Sequence, residues 1–179
     1  MNNDLKKSLW KQFGASIDML ENVIQICPPE LWSTETKFWY TAYHCLFYLD
    51  YYLSPDPDHF IPPQPFTLSE FDPSGAMPEC VYTKGELLTY LNHSRKKCYD
   101  LISALDDAFA AKRWIDSYRN YSMFEMLIYN MRHAQHHAAQ LNLLLRQGMD
   151  DAPKWVSQTR EDLVISGEPA ERTYTKGTP

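Results

Sequence analysis

The sequence lacks the features of membrane, secreted and nucleic-acid-binding proteins. No apolar run approaches the roughly twenty residues that cross a membrane, and the first ten residues show no signal-peptide pattern. Extended runs of Lys and Arg are missing as well, and the formal net charge is −6. An acidic chain of this kind is a poor ligand for nucleic acid or anionic lipid. We therefore expect a soluble, cytoplasmic protein that acts on a small molecule.

Cysteine is scarce and offers no paired motif. The four cysteines, Cys27, Cys45, Cys80 and Cys98, are scattered and include no Cys-x-x-Cys pair. We expect reduced thiols with mostly structural roles in a reducing compartment. Any metal site should therefore depend on other side chains.

Sustained strand alternation is also absent, and four segments show the periodicity of long helices instead. Proline, glycine and capping-box signals set their expected ends. The predicted helices run from about Asp4 to Ile26 before Pro28-Pro29, from a cap at Ser33 or Thr34 to about Leu53, from the capping box Thr83–Glu86 to about Asp107, and from the capping box Ser122–Glu125 for about 26 residues to a stop at Gly148. The predicted fold class is all-α.

A proline-rich segment separates the second and third predicted helices. Residues Ser54–Tyr82 hold seven of the twelve prolines, and the segment is too long for a hairpin turn. A four-helix bundle with one long crossover accommodates it, while a flexible insertion is the alternative. Proline leaves few backbone donors, so the crossover should be irregular. Its large apolar side chains should pack on the helices and partly border the functional site: Phe60, Ile61, Phe66, Leu68 and Phe71.

The length fits one domain with a full core. We expect this domain to span residues 1–166, with the crossover at 54–82. The polar residues 167–179 should form a disordered tail.

The segment Asn130–Gln140 carries the most specific chemical signal. His133 and His137 stand four residues apart, so on a helix they lie on the same face. Two such imidazoles can hold one divalent metal ion if a third ligand reaches them from another helix. Asn130 and Gln140 share their stripe, which lies about 100° from the apolar stripe and borders the core. A solvated polar face is the alternative interpretation.

His44 in the second predicted helix is the candidate third ligand. Tyr40, Tyr48 and Tyr51 fall within about 40° of it on the helical wheel. A core histidine with satisfied hydrogen bonds is the alternative, but helix four supplies two ligands that lack a third. His136 should point away from the core, and its pairing with His133 is the less favoured arrangement.

Other metal chemistries are disfavoured by spacing. The Glu-x-x-His motifs of carboxylate-bridged di-iron bundles do not occur. His133 and His137 match the spacing of the His-Glu-x-x-His metalloprotease motif, but Ala134 occupies the position of the general base. The wheel also places no Asp or Glu on the metal-facing stripes of helices one, two and four. We therefore expect three histidine ligands and no carboxylate base on these helices.

Three segments together resemble the DinB-like (damage-inducible) metalloenzyme superfamily: Leu31-Trp32-Ser33, His44 within its helix, and the run from His133 to Gln140, followed by the looser Leu145–Gly148 ending. The resemblance covers about two thirds of the chain. It implies a four-helix bundle with a long crossover between helices two and three. It also implies a nickel or zinc site on His44, His133 and His137. Members of the superfamily with known activity transfer low-molecular-weight thiols, isomerise a thiol-linked substrate or resemble hydrolases.

The expected function is that of a metal-dependent enzyme whose zinc or nickel ion activates a thiol or a water molecule. Tyr40, Tyr48 and Tyr51 are candidate hydrogen-bond donors, and Asn130 and Gln140 are candidates to orient substrate or metal ligands. The expected partner is a small molecule such as a low-molecular-weight thiol, and the chain can also pair into a homodimer. The alternatives are a non-catalytic metal-binding or small-ligand-binding protein and a helical interaction module without metal.

Overall fold

The computed structural model describes residues 1–165, which are mostly helical. Their elements are α1 (Asn3–Ile26), α2 (Pro29–Trp32), α3 (Phe38–Tyr52), α4 (Lys84–Ala104), α5 (Asp107–Ala111), β1 (Arg113–Ile115), β2 (Asn120–Ser122) and α6 (Met123–Met149). The two strands form an antiparallel hairpin. This content agrees with the predicted all-α class. The two strands were not predicted, because three residues are too few to show alternation. The predicted disordered tail lies outside the described residues.

Both predicted capping boxes are present. The Thr83 hydroxyl accepts a hydrogen bond from the Glu86 backbone N–H, and the Glu86 carboxylate accepts one from the backbone N–H of Thr83. Ser122 and Glu125 make the same reciprocal pair at the start of α6. These contacts satisfy backbone donors that have no partner within a helix. The local sequence therefore fixed where these two helices begin.

The predicted start of the second helix was wrong. Pro29 instead begins the single turn of α2, consistent with the preference of proline for the first helical position. The chain then turns at Lys37, whose φ of 49° lies in the left-handed region. Because that residue interrupts the helical path, α3 begins only at Phe38.

Two predicted helix ends were also shifted. The third predicted helix ends at Ala104, because Asp106 caps the separate short helix α5. Gly148 lies inside α6, which continues to Met149 before the left-handed Asp150. A Cβ atom at Gly148 would lie 2.5 Å from Leu31 Cδ1. This glycine therefore permits the close approach of α2 rather than ending the helix.

The four long helices enclose one apolar core. α1 packs against α4 and α6, and α3 packs against the same two helices. α3 is buried around most of its circumference, including Ala42, Cys45, Leu46 and Leu49. No helix within residues 1–165 is long and apolar enough to cross a membrane.

The crossover between α3 and α4 is irregular, as predicted. Its regular structure consists of two short 3-10 turns, Pro57–His59 and Ser69–Phe71. Phe60 and Phe66 are buried, as expected, but Ile61 and Leu68 are exposed, so the prediction that all five apolar side chains pack on the helices was wrong. Phe71 is 41% exposed, although its ring packs edge-on against aromatic rings of α3. The crossover is therefore anchored through aromatic contacts.

Candidate metal centre

Three histidines from two helices converge between α3 and α6. His133 and His137 lie one turn apart on α6, and their Nε2 atoms are 3.1 Å apart. The His44 ring on α3 lies with its centroid 5.7 Å from that of His133 and 4.9 Å from that of His137. One nitrogen from each ring can be chosen so that all three lie within 4.8 Å of one another. The predicted convergence is confirmed.

The geometry of the three rings suits one divalent ion. Nitrogen ligands about 2.0–2.1 Å from a tetrahedral ion are about 3.3 Å apart, close to the separation of the two Nε2 atoms on α6. His44 Nδ1 is already hydrogen-bonded, so its Nε2 remains for an ion. Each imidazole is partly buried, which limits competition from water. The residues present therefore fit a metal centre.

A carboxylate from the crossover also belongs to the site, although the helical-wheel analysis placed none on the facing stripes of helices one, two and four. Glu70 Oε2 accepts a hydrogen bond from His44 Nδ1 at 2.6 Å, and the Glu70 side chain is only 4% exposed. The 3-10 turn Ser69–Phe71 positions it, and the Tyr48 hydroxyl donates a hydrogen bond to the Glu70 carbonyl. Sequence reasoning missed Glu70 because it considered helical faces alone, and no periodicity places a residue of an irregular crossover.

Burial keeps the two histidines of α6 uncharged. Desolvation, reinforced by the neighbouring imidazoles, lowers the pKa of His133 from 6.5 to about 3. Desolvation and the His44 ring lower that of His137 to about 4, although Gln140 opposes this shift. Neutral imidazole is the form that binds a metal ion. Both side chains are therefore ready to act as ligands near neutral pH.

The same two rings are not satisfied by the protein itself. His133 Nδ1 and His137 Nδ1 are buried and have no hydrogen-bond partner among the described residues. A buried polar atom without a partner costs about 1–3 kcal/mol. A histidine pair retained only for stability would be expected to avoid that cost. An ion held at the Nε2 atoms would not itself satisfy these Nδ1 atoms, so they show only that the two rings are not a satisfied core pair.

The candidate tyrosines occupy different positions around His44. The Tyr48 ring lies 4.9 Å from the His44 ring, and the Tyr40 ring lies 6.4 Å from it. Tyr51 lines the neighbouring cavity. Burial is the main cause that raises the pKa of Tyr40 and of Tyr51 to about 12. Both phenols therefore keep their protons and can donate hydrogen bonds.

The two amide candidates differ in burial. Asn130 is fully buried, and its Nδ2 donates a hydrogen bond to the Leu49 carbonyl at 2.9 Å, which ties α6 to α3. Gln140 is exposed beside His137. His136 is exposed, as predicted. The proposed roles of Asn130 and Gln140 toward substrate or metal stay predictions.

A cavity of about 800 Å³ opens beside the site. Two of the three histidines, His44 and His133, line it together with Glu70. The remaining walls come from α3, the crossover, the β1–β2 hairpin and α6: Tyr48, Tyr51, Tyr52, Pro57, Asp58, Phe60, Leu68, Phe71, Asp72, Pro73, Asp116, Ser117, Tyr118, Arg119 and Tyr129. The expectation that the crossover borders the site is confirmed. The volume falls within the range of small-molecule pockets.

Comparison with known proteins supplies no relative for this chain. The interpretation of the site therefore depends on the residues described above. No protein-family model, no curated protein and no solved structure matches the chain.

Proposed function

We propose that the protein is a metal-dependent enzyme that uses a divalent ion held by His44, His133 and His137 to activate a thiol or a water molecule. The observation that carries this proposal is the convergence of three imidazoles, two of which, His44 and His133, line a small-molecule cavity. Within residues 1–165, the group of possible ligand atoms comprises these three side chains. Three protein ligands are typical of catalytic zinc sites, which keep a position for water or substrate.

The bound ion would supply Lewis acidity and lower the pKa of a water molecule or thiol. Imidazole suits both zinc and nickel. Glu70 holds the His44 ring through Nδ1 and so directs Nε2 toward the ion, an arrangement that raises the basicity of the ligand. The phenol of Tyr51 can donate a hydrogen bond to a substrate in the cavity.

The three buried cysteines do not favour nucleophilic catalysis by the protein, and the exposed Cys80 does not line the cavity. Burial raises the pKa of Cys45 and Cys98 well above the ordinary thiol range, and it raises that of Cys27 to about 11. A protonated, buried thiol is a poor nucleophile. This supports a nucleophile that is activated at the metal site.

The architecture supports the same proposal. Contacts of α1 and α3 with both α4 and α6 suit a four-helix bundle whose crossover joins α3 to α4. Such a bundle, with ligands on α3 and α6, is what the resemblance to the DinB-like superfamily implies. We therefore propose membership of that superfamily and a low-molecular-weight thiol as the first substrate to test. Pairing into a homodimer stays a prediction.

Cobalt substitution tests both metal binding and access to the ion. The full-length chain is stripped of metal, loaded with Co²⁺ and titrated with cysteamine while its visible spectrum is recorded. We expect one Co²⁺ per chain, and a thiolate-to-cobalt charge-transfer band should appear as cysteamine is added. A chain that binds no metal contradicts the proposal. If the spectrum of the cobalt-loaded chain does not change when cysteamine or, in a second titration, azide is added, the result would instead support the non-catalytic metal-binding alternative.

A further inference from the structure

The cavity walls carry more negative than positive charge. Four carboxylates, Glu70, Asp58, Asp72 and Asp116, line the cavity with a single guanidinium, that of Arg119. Asp116 and Arg119 form an ion pair, with Arg119 Nη1 2.9 Å from Asp116 Oδ2. Their charges therefore offset each other and leave the remaining three carboxylates dominant.

Arg119 is held by the protein and is poorly placed to bind an anion. Its guanidinium lies over the rings of Tyr52 and Tyr129, 5.2 and 5.3 Å from their centroids, and donates a hydrogen bond to the Tyr129 hydroxyl. Asp116 Oδ1 also accepts hydrogen bonds from two backbone N–H groups of the hairpin loop. The ion pair therefore supports the β1–β2 loop. It also shows that this aromatic wall accommodates a cation.

A neighbouring part of the cavity wall combines aromatic rings with acidic groups of the crossover. Tyr51 packs edge-on against Phe60 and Phe71, with centroid distances of 5.3 and 4.9 Å. Asp58 and Asp72 are exposed on the same crossover. Aromatic faces attract cations, and nearby carboxylates add to that attraction.

Glu70 supplies an independent sign of a missing ligand. One oxygen binds His44, and the carboxylate also interacts with the Tyr40 phenol, but Oε1 is buried and has no hydrogen bond of normal geometry among the described residues. The side chain is more than nine-tenths buried and lines the cavity. A buried carboxylate oxygen normally accepts a hydrogen bond. A hydroxyl, thiol or ammonium donor on a bound molecule would satisfy it, whereas an anionic group would be repelled.

We infer that this cavity takes a small molecule that bears an organic cation, either a protonated amine or a quaternary ammonium group. The cationic group lies between the aromatic rings of Tyr51 and Phe71 and the carboxylates of Asp58 and Asp72. The inference deepens the proposed function and rests on it for the position of the reacting end near His44. It also favours an aminothiol over an acidic thiol as the substrate.

Three probes of matched shape test the charge preference. Choline carries a quaternary ammonium group. Dimethylbutanol (the 3,3-dimethyl-1-butanol isomer) is its uncharged isostere, and tert-butylacetate (the 3,3-dimethylbutanoate anion) carries a negative charge on a similar frame. Each is titrated calorimetrically into the full-length chain, both metal-free and metal-loaded. In the metal-free chain we expect choline to bind at least about fivefold more tightly than dimethylbutanol. Equal binding of these two, preference for tert-butylacetate, or no choline binding at millimolar concentration would overturn the inference.

Variants with matched charge locate the effect. The double variant Asp58→Asn/Asp72→Asn should bind choline about threefold more weakly, with a smaller dependence on ionic strength. The control Glu35→Gln/Glu79→Gln removes the same charge from exposed positions that do not line the cavity, and it should bind choline like the unmodified chain. Equal weakening in both double variants would mean that overall charge, rather than this cavity, attracts choline.

Metal analysis separates this inference from the proposed function. A chain that binds Co²⁺ and responds to cysteamine but shows no choline preference would retain the proposed function and lose the inferred substrate class. A chain that prefers choline but binds no metal would lose the proposed function and keep a cation-binding cavity.

The variant Phe71→Leu gives an independent test, because it keeps an apolar side chain but removes the aromatic face. It should also weaken choline binding by about threefold.

Discussion

Two polar clusters on the same helix differ in how completely the protein satisfies them. The first surrounds His44 and contains three buried atoms without partners, namely His133 Nδ1, His137 Nδ1 and Glu70 Oε1. The second surrounds Asp50, which is 1% exposed. Asp50 Oδ1 lies 2.6 Å from Lys97 Nζ, and its Oδ2 accepts a hydrogen bond from Tyr90. The first cluster is incomplete, and the second is complete.

The difference indicates different roles for the two clusters. His44 and Asp50 lie six residues apart on α3, and therefore about 120° apart around the helix. Buried polar groups normally find partners, so a complete network is expected of a structural contact. Missing partners at the His44 cluster show that the protein alone does not satisfy it, as expected of side chains retained for binding rather than for stability. We therefore expect substitutions in one cluster to change metal binding and substitutions in the other to change stability.

The largest effect should follow the loss of a ligand from the incomplete cluster. His137→Ala should weaken metal binding by more than about 100-fold, because losing a ligand should exceed the 10–100-fold cost of losing an outer partner. The matched control is His136→Ala, which removes an exposed imidazole from the preceding position. It should leave metal affinity within about twofold of that of the unmodified chain. Competition with a chromophoric chelator measures both. Similar losses in the two variants would show that the ligand pair has been misassigned.

Breaking the complete cluster should instead destabilise the fold. Asp50→Ala leaves the Lys97 ammonium and the Tyr90 hydroxyl without their carboxylate, and it should lower the free energy of unfolding by about 3 kcal/mol. Asp50→Asn keeps the shape and should cost less. Urea unfolding measures both losses, and metal content per folded chain should stay unchanged. A variant of normal stability with lost metal would reverse the roles assigned to the two clusters.

The smallest expected effect on these two clusters belongs to Glu70, which contacts His44 from the crossover. Glu70→Gln keeps a hydrogen-bond acceptor for His44 Nδ1 but removes the negative charge, so metal affinity should fall by about tenfold. Glu70→Ala removes both and should cost more. The same chelator competition ranks the two variants. If Glu70→Ala binds metal like the unmodified chain, the contact does not position His44.

Local sequence signals succeeded where neighbouring residues in the chain decide the structure. The capping boxes at Thr83 and Ser122 are satisfied within four residues, so their outcome depends little on the rest of the chain. The spacing of His133 and His137 likewise places both on one face of α6. The predicted start of the second helix was wrong because the left-handed conformation of Lys37 has no such local signal.

The sequence by itself determined the helical class, the irregular crossover and the α6 stripe that bears two histidines, because all three follow from periodicity, capping and proline content. It also identified His44 as the candidate third histidine, since helix spacing supplied a pair without a third ligand. Only the tertiary structure decided that Glu70 reaches His44 and that Phe60 and Phe66 are buried while Ile61 is exposed. An irregular segment has no repeating geometry, so its side chains are placed by the surfaces on which it packs.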